Sequence, residues 1–563
     1  MSKVKSFFVR TGMGFRLSIL AAVLVTAGCA DIGRETASFS TPTSNAPAWQ
    51  MPTGAPPVGG MVLSEVRSST EIAPGVVLYS TKIGHPAPSD TFEVEVGFVR
   101  NPVHAAPLVD ALRSAGYATK LVATADGAAT GYTVRLEKKY SAASEADAAV
   151  TAVQALKTLP AATAQLFVDA RRRYTAEDGM PTTGPFVMNL LAVKPGFRGT
   201  LLSALGTDVV PGRETTTSLA ARKGALAAIN GGFFSTAAAN GSEGALAGLS
   251  VVDGRLVNEG VEGRPALFLE NSNGINRARV ERKLSTVISV SVEGRAARRI
   301  DGTNRRPGAT FNCGRPFDKP VNVPLHDAVC TNDNALIVYT PDFGTTTSTN
   351  VTGMVTEAVL DSKGIVIAMN DTAGSKIPAD GQVLQGNGSA ANWLKANMAK
   401  GIPVAVSRKL VGERGQEISL KPGMYAINGG PTLLVNSNMV EAEHAAEGWS
   451  NNDVPGYLFT MTNGNRANFY NGWYVRRNPH TAVGVTADGT ILMLVVDGRA
   501  PRHSAGLSIK ETAAVMKYLG AIDAIKLDGG GSSMMVVNNV ALTLPADAGN
   551  VERPDGDALL IMK

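Results

Sequence analysis

Three observations predict an α+β chain with a strand-rich C-terminal part. From Thr183 to Lys563, many short apolar runs are divided by Gly, Asn and Asp, the punctuation of strands and turns. Helical spacing is confined there to a few stretches, most legibly Ser508 to Gly520. Between Thr91 and Ala170 the pattern instead runs strand, helix, strand, strand, helix, strand. Together these predict an α+β chain whose strand-rich mixed C-terminal domain is preceded by a small βαββαβ, ferredoxin-like module.

The 563 residues, 44% hydrophobic and 18% charged, have ordinary globular composition with room for more than one domain. The formal charge of +5 includes Lys3, Lys5, Arg10 and Arg16; without them it is +1. That balance gives no support to a nucleic-acid partner. The four cations belong to a segment with the secretory pattern: a basic start, the apolar run LSILAAVLV from Leu17 to Val25, then small residues. The run is too short to span a bilayer as a mature helix. It ends in TAGC, Thr26 to Cys29, which resembles a bacterial lipobox. The resemblance implies lipidation of Cys29. With Ala30 rather than Asp following, it also implies a periplasmic protein anchored in the outer membrane. Thr26 departs from the usual Leu or Val, which leaves cleavage by the ordinary signal peptidase open.

Residues 1–29 are thus expected to be a leader. Residues 30–60, with ETASFSTPTSNAPAWQMPTGAPPVGG, have linker composition, and 61–90 form a connecting segment. In 91–170, FEVEVGF and YTVRLE alternate with period two, while AAPLVDALRSAG and SEADAAVTAVQALKTL have helical spacing and stop at Gly116 and Pro160. This duplicated arrangement resembles the SPOR family, whose modules bind peptidoglycan glycan strands; a generic packing module is the alternative.

In 183–563, Ser508-Ile-Lys-Glu511 is a capping box followed by Ile509, Ala513, Met516 and Leu519 at helical spacing, with Gly520 as the stop. The strand AIDAIKL then runs directly into KLDGGGSSM, Lys526 to Met534. Three consecutive glycines are entropically costly, so a segment that keeps them needs positive φ or a close approach to its backbone. Two further pairs, in AAINGGFF (Asn230, Gly231, Gly232) and YAINGGPTLL (Asn428), also end apolar runs. A single Asn-Gly-Gly reads as a hairpin turn; the recurrence points to converging strand ends. VTADGTILML reads as a hairpin around Asp488-Gly489, whereas Asp497 ends the strand ILMLVV just before Gly498 and Arg499. Arg477 and His480 flank the preceding turn. Cations beside a Gly-rich loop suit an anion.

Taken in order, AAINGGFF, RNPHTAVG, VVDGR, SAGLSIKETAAVMKYLGA and KLDGGGSSMM resemble the phosphodiester glycosidase family, and CGRPFDKPVNVPLHDAVC is similar to a stretch in its bacterial lipoprotein branch. Three positions depart from the family pattern: His480 stands for an Arg, Lys526 for an Asn before LDGGG, and Met534 for a Thr after GGGSS. The resemblance implies cleavage of a sugar-1-phosphodiester at the anomeric C–O bond. Its leaving group is a phosphate monoester, so strong general acid catalysis matters less than for an alcohol. Asp528 and Asp497 are then the catalytic carboxylates, one as nucleophile or base and the other orienting sugar hydroxyls. Gly529, Gly530, Gly531 and Ser532 would receive phosphate oxygens, with Arg477, His480 (when protonated) and Arg499 supplying charge. Asn230, with Gly231 and Gly232, and Asn428 would meet sugar hydroxyls or an acetamide. Glu357, in MVTEAVL, is a further carboxylate that could enter the site, the favoured reading being a strand-edge residue. No cofactor is required by this chemistry, although the same oxygen-rich set also suits Ca²⁺ or Mg²⁺. With Cys29 lipidated, Cys313 and Cys330 remain as an even pair in an oxidising compartment, and a disulfide is expected, two buried thiols being the alternative. No CxxC or HExxH pattern supports zinc.

Overall fold

Period-two alternation in FEVEVGF becomes the strand Phe92–Val99, buried along its whole length. It is flanked by Tyr132–Leu136 on one edge and Leu166–Tyr174 on the other, with Thr119–Ala123 outermost, all neighbours antiparallel. The protein is described by a computed structural model covering residues 46–126, 130–452 and 466–563. Val94 and Val96 share one apolar core with Leu108 and Leu112 of the helix Ala106–Ser114 and with Ala146 and Val153 of the helix Ala143–Gln154. The alternate residues Glu93 and Glu95 meet charges instead. Arg135 Nη1 lies 3.1 Å from Glu93 and 2.7 Å from Asp178, and Arg173 Nη2 lies 2.9 Å from Glu95. Arg476, far along the chain, pairs with Asp178 and lies 3.8 Å from Glu95. The sheet is therefore covered on both faces, and its core is continuous with residues such as Phe469, Leu494 and Leu507.

The sheet that positions the candidate site has eight strands in the order Glu65–Ala73, Val76–Ile83, Phe186–Val193, Ile491–Val496, His480–Thr486, Ala521–Gly529, Thr432–Val435, Asn438–Met439. Each pairing is antiparallel. The segment read as a connection thus supplies two strands. A second antiparallel sheet orders Val540–Ala541, Met535–Val537, Ala227–Asn230, Asp557–Met562 and Thr200–Leu205. Leu191, Val483 and Ile525 of the first sheet pack with Ile229, Met535 and Leu559 of the second. Burying these six side chains removes apolar surface at roughly 1.5–3 kcal/mol each, which is what holds the sheets face to face.

The helix Ile509–Tyr518 starts on the expected capping box: Ser508 Oγ accepts from Glu511 N at 3.2 Å, and Glu511 accepts from Ser508 N at 2.9 Å. Cys313 and Cys330 form the expected disulfide, with Cα atoms 5.4 Å apart, across the antiparallel pair Gly308–Cys313 and Leu325–Asn332. The hairpin at Asp488-Gly489 joins His480–Thr486 to Ile491–Val496. Trp49 corrects the tether reading of residues 46–60. Its N–H donates to Asp488 Oδ2 and its Nε1–H to Leu519 O, both at 2.7 Å, and its ring meets Tyr79 edge-on. One large aromatic outweighs the linker composition around it. The leader, with Cys29, and residues 30–45 lie outside the described residues. Among the described residues no helix is long and apolar enough to cross a membrane.

Candidate functional site

The strand Ala227–Asn230 and the strand Ala521–Gly529 end side by side, joined by Asp528 N donating to Gly231 O at 3.0 Å. Asn230 is the brace. Its Nδ2 donates to Asp528 O at 3.1 Å, and its Oδ1 accepts from Thr481 Oγ1 at 2.6 Å and Met534 N at 3.2 Å. Asn428 does the same for the next turn, accepting from Phe233 N at 2.8 Å. Both side chains are buried. The expectation that they bind sugar is therefore corrected, because their amides are engaged in holding strand ends together. Gly231 and Gly232 are needed for close approach: a Cβ would stand 2.1 Å from Asp557 Oδ1 at the first and 2.4 Å from Asn428 Nδ2 at the second.

Each glycine after Asp528 makes room for a cation. A Cβ on Gly529 would lie 2.6 Å from Lys526 Nζ, on Gly530 (φ +64°) 3.1 Å from Arg499, and on Gly531 2.3 Å from Arg553 and 2.1 Å from Asp547. Asp528 itself is half-buried; its Oδ1 accepts from Gly529 N at 2.7 Å and its Oδ2 from Ser532 Oγ at 3.1 Å. Gly530 N donates to Pro479 O at 3.0 Å. The backbone donors of Gly529 and Gly530 are thus engaged internally. The loop offers an anion its surrounding cations rather than an N–H nest at those two residues.

Two carboxylates escaped the sequence reading. Asp557 is buried, its Oδ1 accepting from Gly232 N at 2.8 Å and its Oδ2 unpartnered. Burial, with the Asp528 charge adding to it, pushes its pKa up to about 7. Asp555 is buried with both oxygens unpartnered, and burial plus the Asp528 charge hold it well above the usual carboxylate range. Asp528 is raised by burial, but Lys526 and Arg553 oppose the rise. In sequence Asp555-Gly556-Asp557 reads as a turn ahead of a strand, which is the only signal it carries.

The remaining expected residues separate into two groups. Arg499, exposed and at φ +52°, stays at the site: its Nε and Nη2 donate to Asn478 Oδ1 and its guanidinium covers Gly530. Arg477 does not. It is buried, pairs with Glu511 at 2.7 Å, and donates to Ala176 O and Met180 O, so its role is to fasten the capping box to the preceding chain. His480 is at the site but carries no charge. It lies opposite Gly529 and Val496, and burial with the Lys526 and Arg499 charges holds its pKa well below the usual value. Asp497 is buried with Oδ2 2.7 Å from His503 Nε2 and Oδ1 accepting from Leu544 N at 3.2 Å, a different set of partners from those of Asp528. Glu357 is not on an edge: Val355–Leu360 lies between two strands, and the buried carboxylate accepts from Thr347 Oγ1 at 2.6 Å and Ser375 N at 2.9 Å. Among the described residues no group of three or more His, Cys, Asp or Glu is arranged to hold a metal ion. A groove of about 960 Å³, lined in part by Arg255, Asp342, Asp380 and Arg408, contains none of these site residues.

Residues 347–562, which include Asp497, Lys526, Asp528, Asp555 and Asp557, match the phosphodiester glycosidase family. Residues 347–562 thus carry a phosphodiester glycosidase domain. The family match begins after Asn230 to Gly232, so part of the candidate site comes from chain outside it. A solved structure from Burkholderia pseudomallei, described only as an exported protein, is 37% identical with a TM-score of 0.83, covering 92% of this chain and 100% of that one. A Synechocystis protein of unstated function shares the fold at a TM-score of 0.50 and 15% identity, covering 89% of this chain and 76% of that one. Mouse N-acetylglucosamine-1-phosphodiester alpha-N-acetylglucosaminidase is 34% identical over 67 residues, 12% of this chain and 13% of that protein. An uncharacterised SPbeta-prophage-derived protein of Bacillus subtilis is 35% identical over 85 residues, 15% of this chain and 13% of that protein. The chain therefore spans only 13% of the length of either curated relative.

Proposed function

We propose that this protein is an exported envelope hydrolase that cleaves the anomeric C–O bond of a sugar-1-phosphodiester in cell-wall or exopolysaccharide material. The observation that carries the reading is the meeting of Asp528, the basic side chains Lys526, Arg499 and Arg553, and the buried carboxyls Asp555 and Asp557 around one Gly-rich loop. Carboxyl groups whose surroundings push their pKa values apart divide the acid and base roles. Asp528, raised by burial but opposed in that rise by Lys526 and Arg553 and accepting from Gly529 N and Ser532 Oγ, is the group assigned to attack the anomeric carbon or activate water. Asp555, held well above the usual carboxylate range, keeps its proton and supplies it to the departing oxygen. Arg499 and Arg553 stabilise the phosphate that leaves. Asp497 positions His503 beside the same strand end instead of facing the reacting carbon.

The leader and TAGC support export and lipidation at Cys29, and the relative described as exported agrees with export. The 91–170 stretch, with strand order 2-3-1-4 in its own sequence, is read as ferredoxin-like and 183–563 as the glycosidase domain. Because the small sheet is covered on both faces, any peptidoglycan contact falls to its helices and edges. The test is incubation of protein lacking Met1 to Cys29 with an α-N-acetylglucosamine-1-phosphodiester, with and without chelator. Free reducing sugar from the parent and none from Asp528→Asn is expected. Sugar 1-phosphate as product would mean P–O cleavage and overturn the mechanism, and loss of turnover with chelator would add Ca²⁺ or Mg²⁺ to it.

A further inference from the structure

Among the described residues Lys526 is the largest charged side chain to be completely enclosed: none of its surface is exposed. An ammonium has three N–H donors, and among the described residues only Leu527 O accepts one, at 2.8 Å. Aromatic faces hold the rest of the charge, Trp473 at 4.4 Å from its ring centroid and Phe233 at 5.5 Å. Beside it His480 is buried with both Nδ1 and Nε2 unpartnered, which is rare for a buried polar side chain and calls for an explanation. Both groups lie at the reacting carboxylate. The register shifts between Lys526 and Gly529, so plain alternation does not relate Lys526 to Asp528; their charges nonetheless act on one another, His480 lies directly opposite Gly529, and the missing Cβ of Gly529 lets the ammonium come against the loop.

We propose that Lys526 and His480 form an anion subsite that grips a phosphate oxygen of the substrate next to Asp528, making Lys526 a specificity-determining residue for phosphodiester over neutral glycosides. The inference rests on the hydrolase reading and adds the recognition of charge to it. Lys526 supplies two N–H donors; burial pulls its pKa down to about 7, and a phosphate oxygen beside it would favour the protonated, charged form, while neutral His480 supplies one ring N–H and its other nitrogen accepts. The aromatic frame keeps water away, so the attraction acts at low effective dielectric. Arg499 and Arg553 reach the same loop from solvent and meet the outer oxygens.

The test uses Lys526→Met, of similar length without charge, and Lys526→Gln as a second neutral variant whose fold is checked by thermal melting. Turnover of an α-N-acetylglucosamine-1-phosphodiester is measured together with calorimetric binding of sulfate, N-acetylglucosamine 1-phosphate and N-acetylglucosamine. Loss of hydrogen bonds to a charged donor predicts about 10- to 100-fold weaker binding of the two anions and a matching rise in KM, with kcat changing less. Binding of neutral N-acetylglucosamine should stay within about 2-fold of the parent. Equal loss for neutral and anionic ligands would show that Lys526 only shapes the pocket and would overturn the proposal, as would unchanged anion affinity in a folded variant. If the parent binds the anions through Lys526 yet turns over no phosphodiester, the subsite stands and the hydrolase reading falls. Turnover indifferent to Lys526 gives the reverse.

Discussion

Two clusters of buried carboxylates sit in this protein under opposite rules. Where the small sheet meets the large one, Glu95 and Asp178 are surrounded by Arg135, Arg173 and Arg476. Burial alone would raise Glu95, but Arg173, Arg476 and Arg135 outweigh it and bring the pKa down to about 2. At the strand ends, Asp555 and Asp557 are equally buried and keep unpartnered oxygens, so burial wins and both are raised. The contrast separates carboxylates whose charge is compensated within the fold from ones whose charge is not. A paired carboxylate is satisfied in the folded chain, whereas an unpaired one stores a desolvation cost that only a proton, a cation or a substrate relieves.

Asp528→Asn puts the greatest strain on this division. Turnover should fall by roughly 10²- to 10⁴-fold, measured as initial rate of sugar release, with the melting temperature near that of the parent; a variant that melts early would make Asp528 part of the fold instead. Arg476→Met should do the converse. Removing one member of a buried ionic cluster leaves uncompensated charge and costs about 3–5 kcal/mol, read by urea unfolding, while sulfate binding at the Gly-rich loop is unchanged in the folded fraction. Opening Cys313–Cys330 with paired serines removes a constraint that carries no charge. It should cost about 3 kcal/mol for a loop of this length without altering the pH dependence of unfolding.

The most direct test of the two rules is read as pH dependence, in which each unit of pKa difference between folded and unfolded chain is about 1.4 kcal/mol. Glu95 has a folded pKa below its unfolded one, so its stabilisation is present above about pH 4.5 and is lost as pH falls toward 2. Asp557 has a folded pKa of about 7, above its unfolded 3.8. Its contribution is complete below pH 3.8 and is lost as pH rises through 7. Glu95→Gln should therefore flatten the acid side of the stability profile, and Asp557→Asn the neutral side. If both substitutions flatten the same side, the two clusters obey one rule and not two.

How much of this was legible in the sequence depends on whether a partner is local. Ser508 and Glu511 are three residues apart, and their capping box was readable because both halves lie in one turn. The three glycines of KLDGGGSSM announced close approach, and the structure supplies what approaches: Lys526, Arg499 and Arg553. Nothing near Asn230 shows that Thr481 and Asp528 will engage its amide, so a brace reads as a ligand. Arg477 and His480 read as positive charge for the same reason; Glu511 engages the first and burial neutralises the second. Asp555 and Asp557 were missed because a carboxylate opening a strand is ordinary until Asp528 and Gly232 arrive beside it. Trp49 was diluted by the prolines and serines around it.

The hydrogen bond from Asn230 Nδ2 to Asp528 O closes a loop of 298 residues, and that closure sets an order in time. Contacts between such distant positions form late, because closing a long loop must precede the contacts that reward it. During refolding, the capping-box helix and the neighbouring hairpin from His480 to Val496 can form from local pairs, well before the strand Asp557–Met562 enters between its two neighbours. Recovery of activity should consequently lag recovery of backbone signal, and turnover becomes the clock that reports when the last long-range pairing is in place.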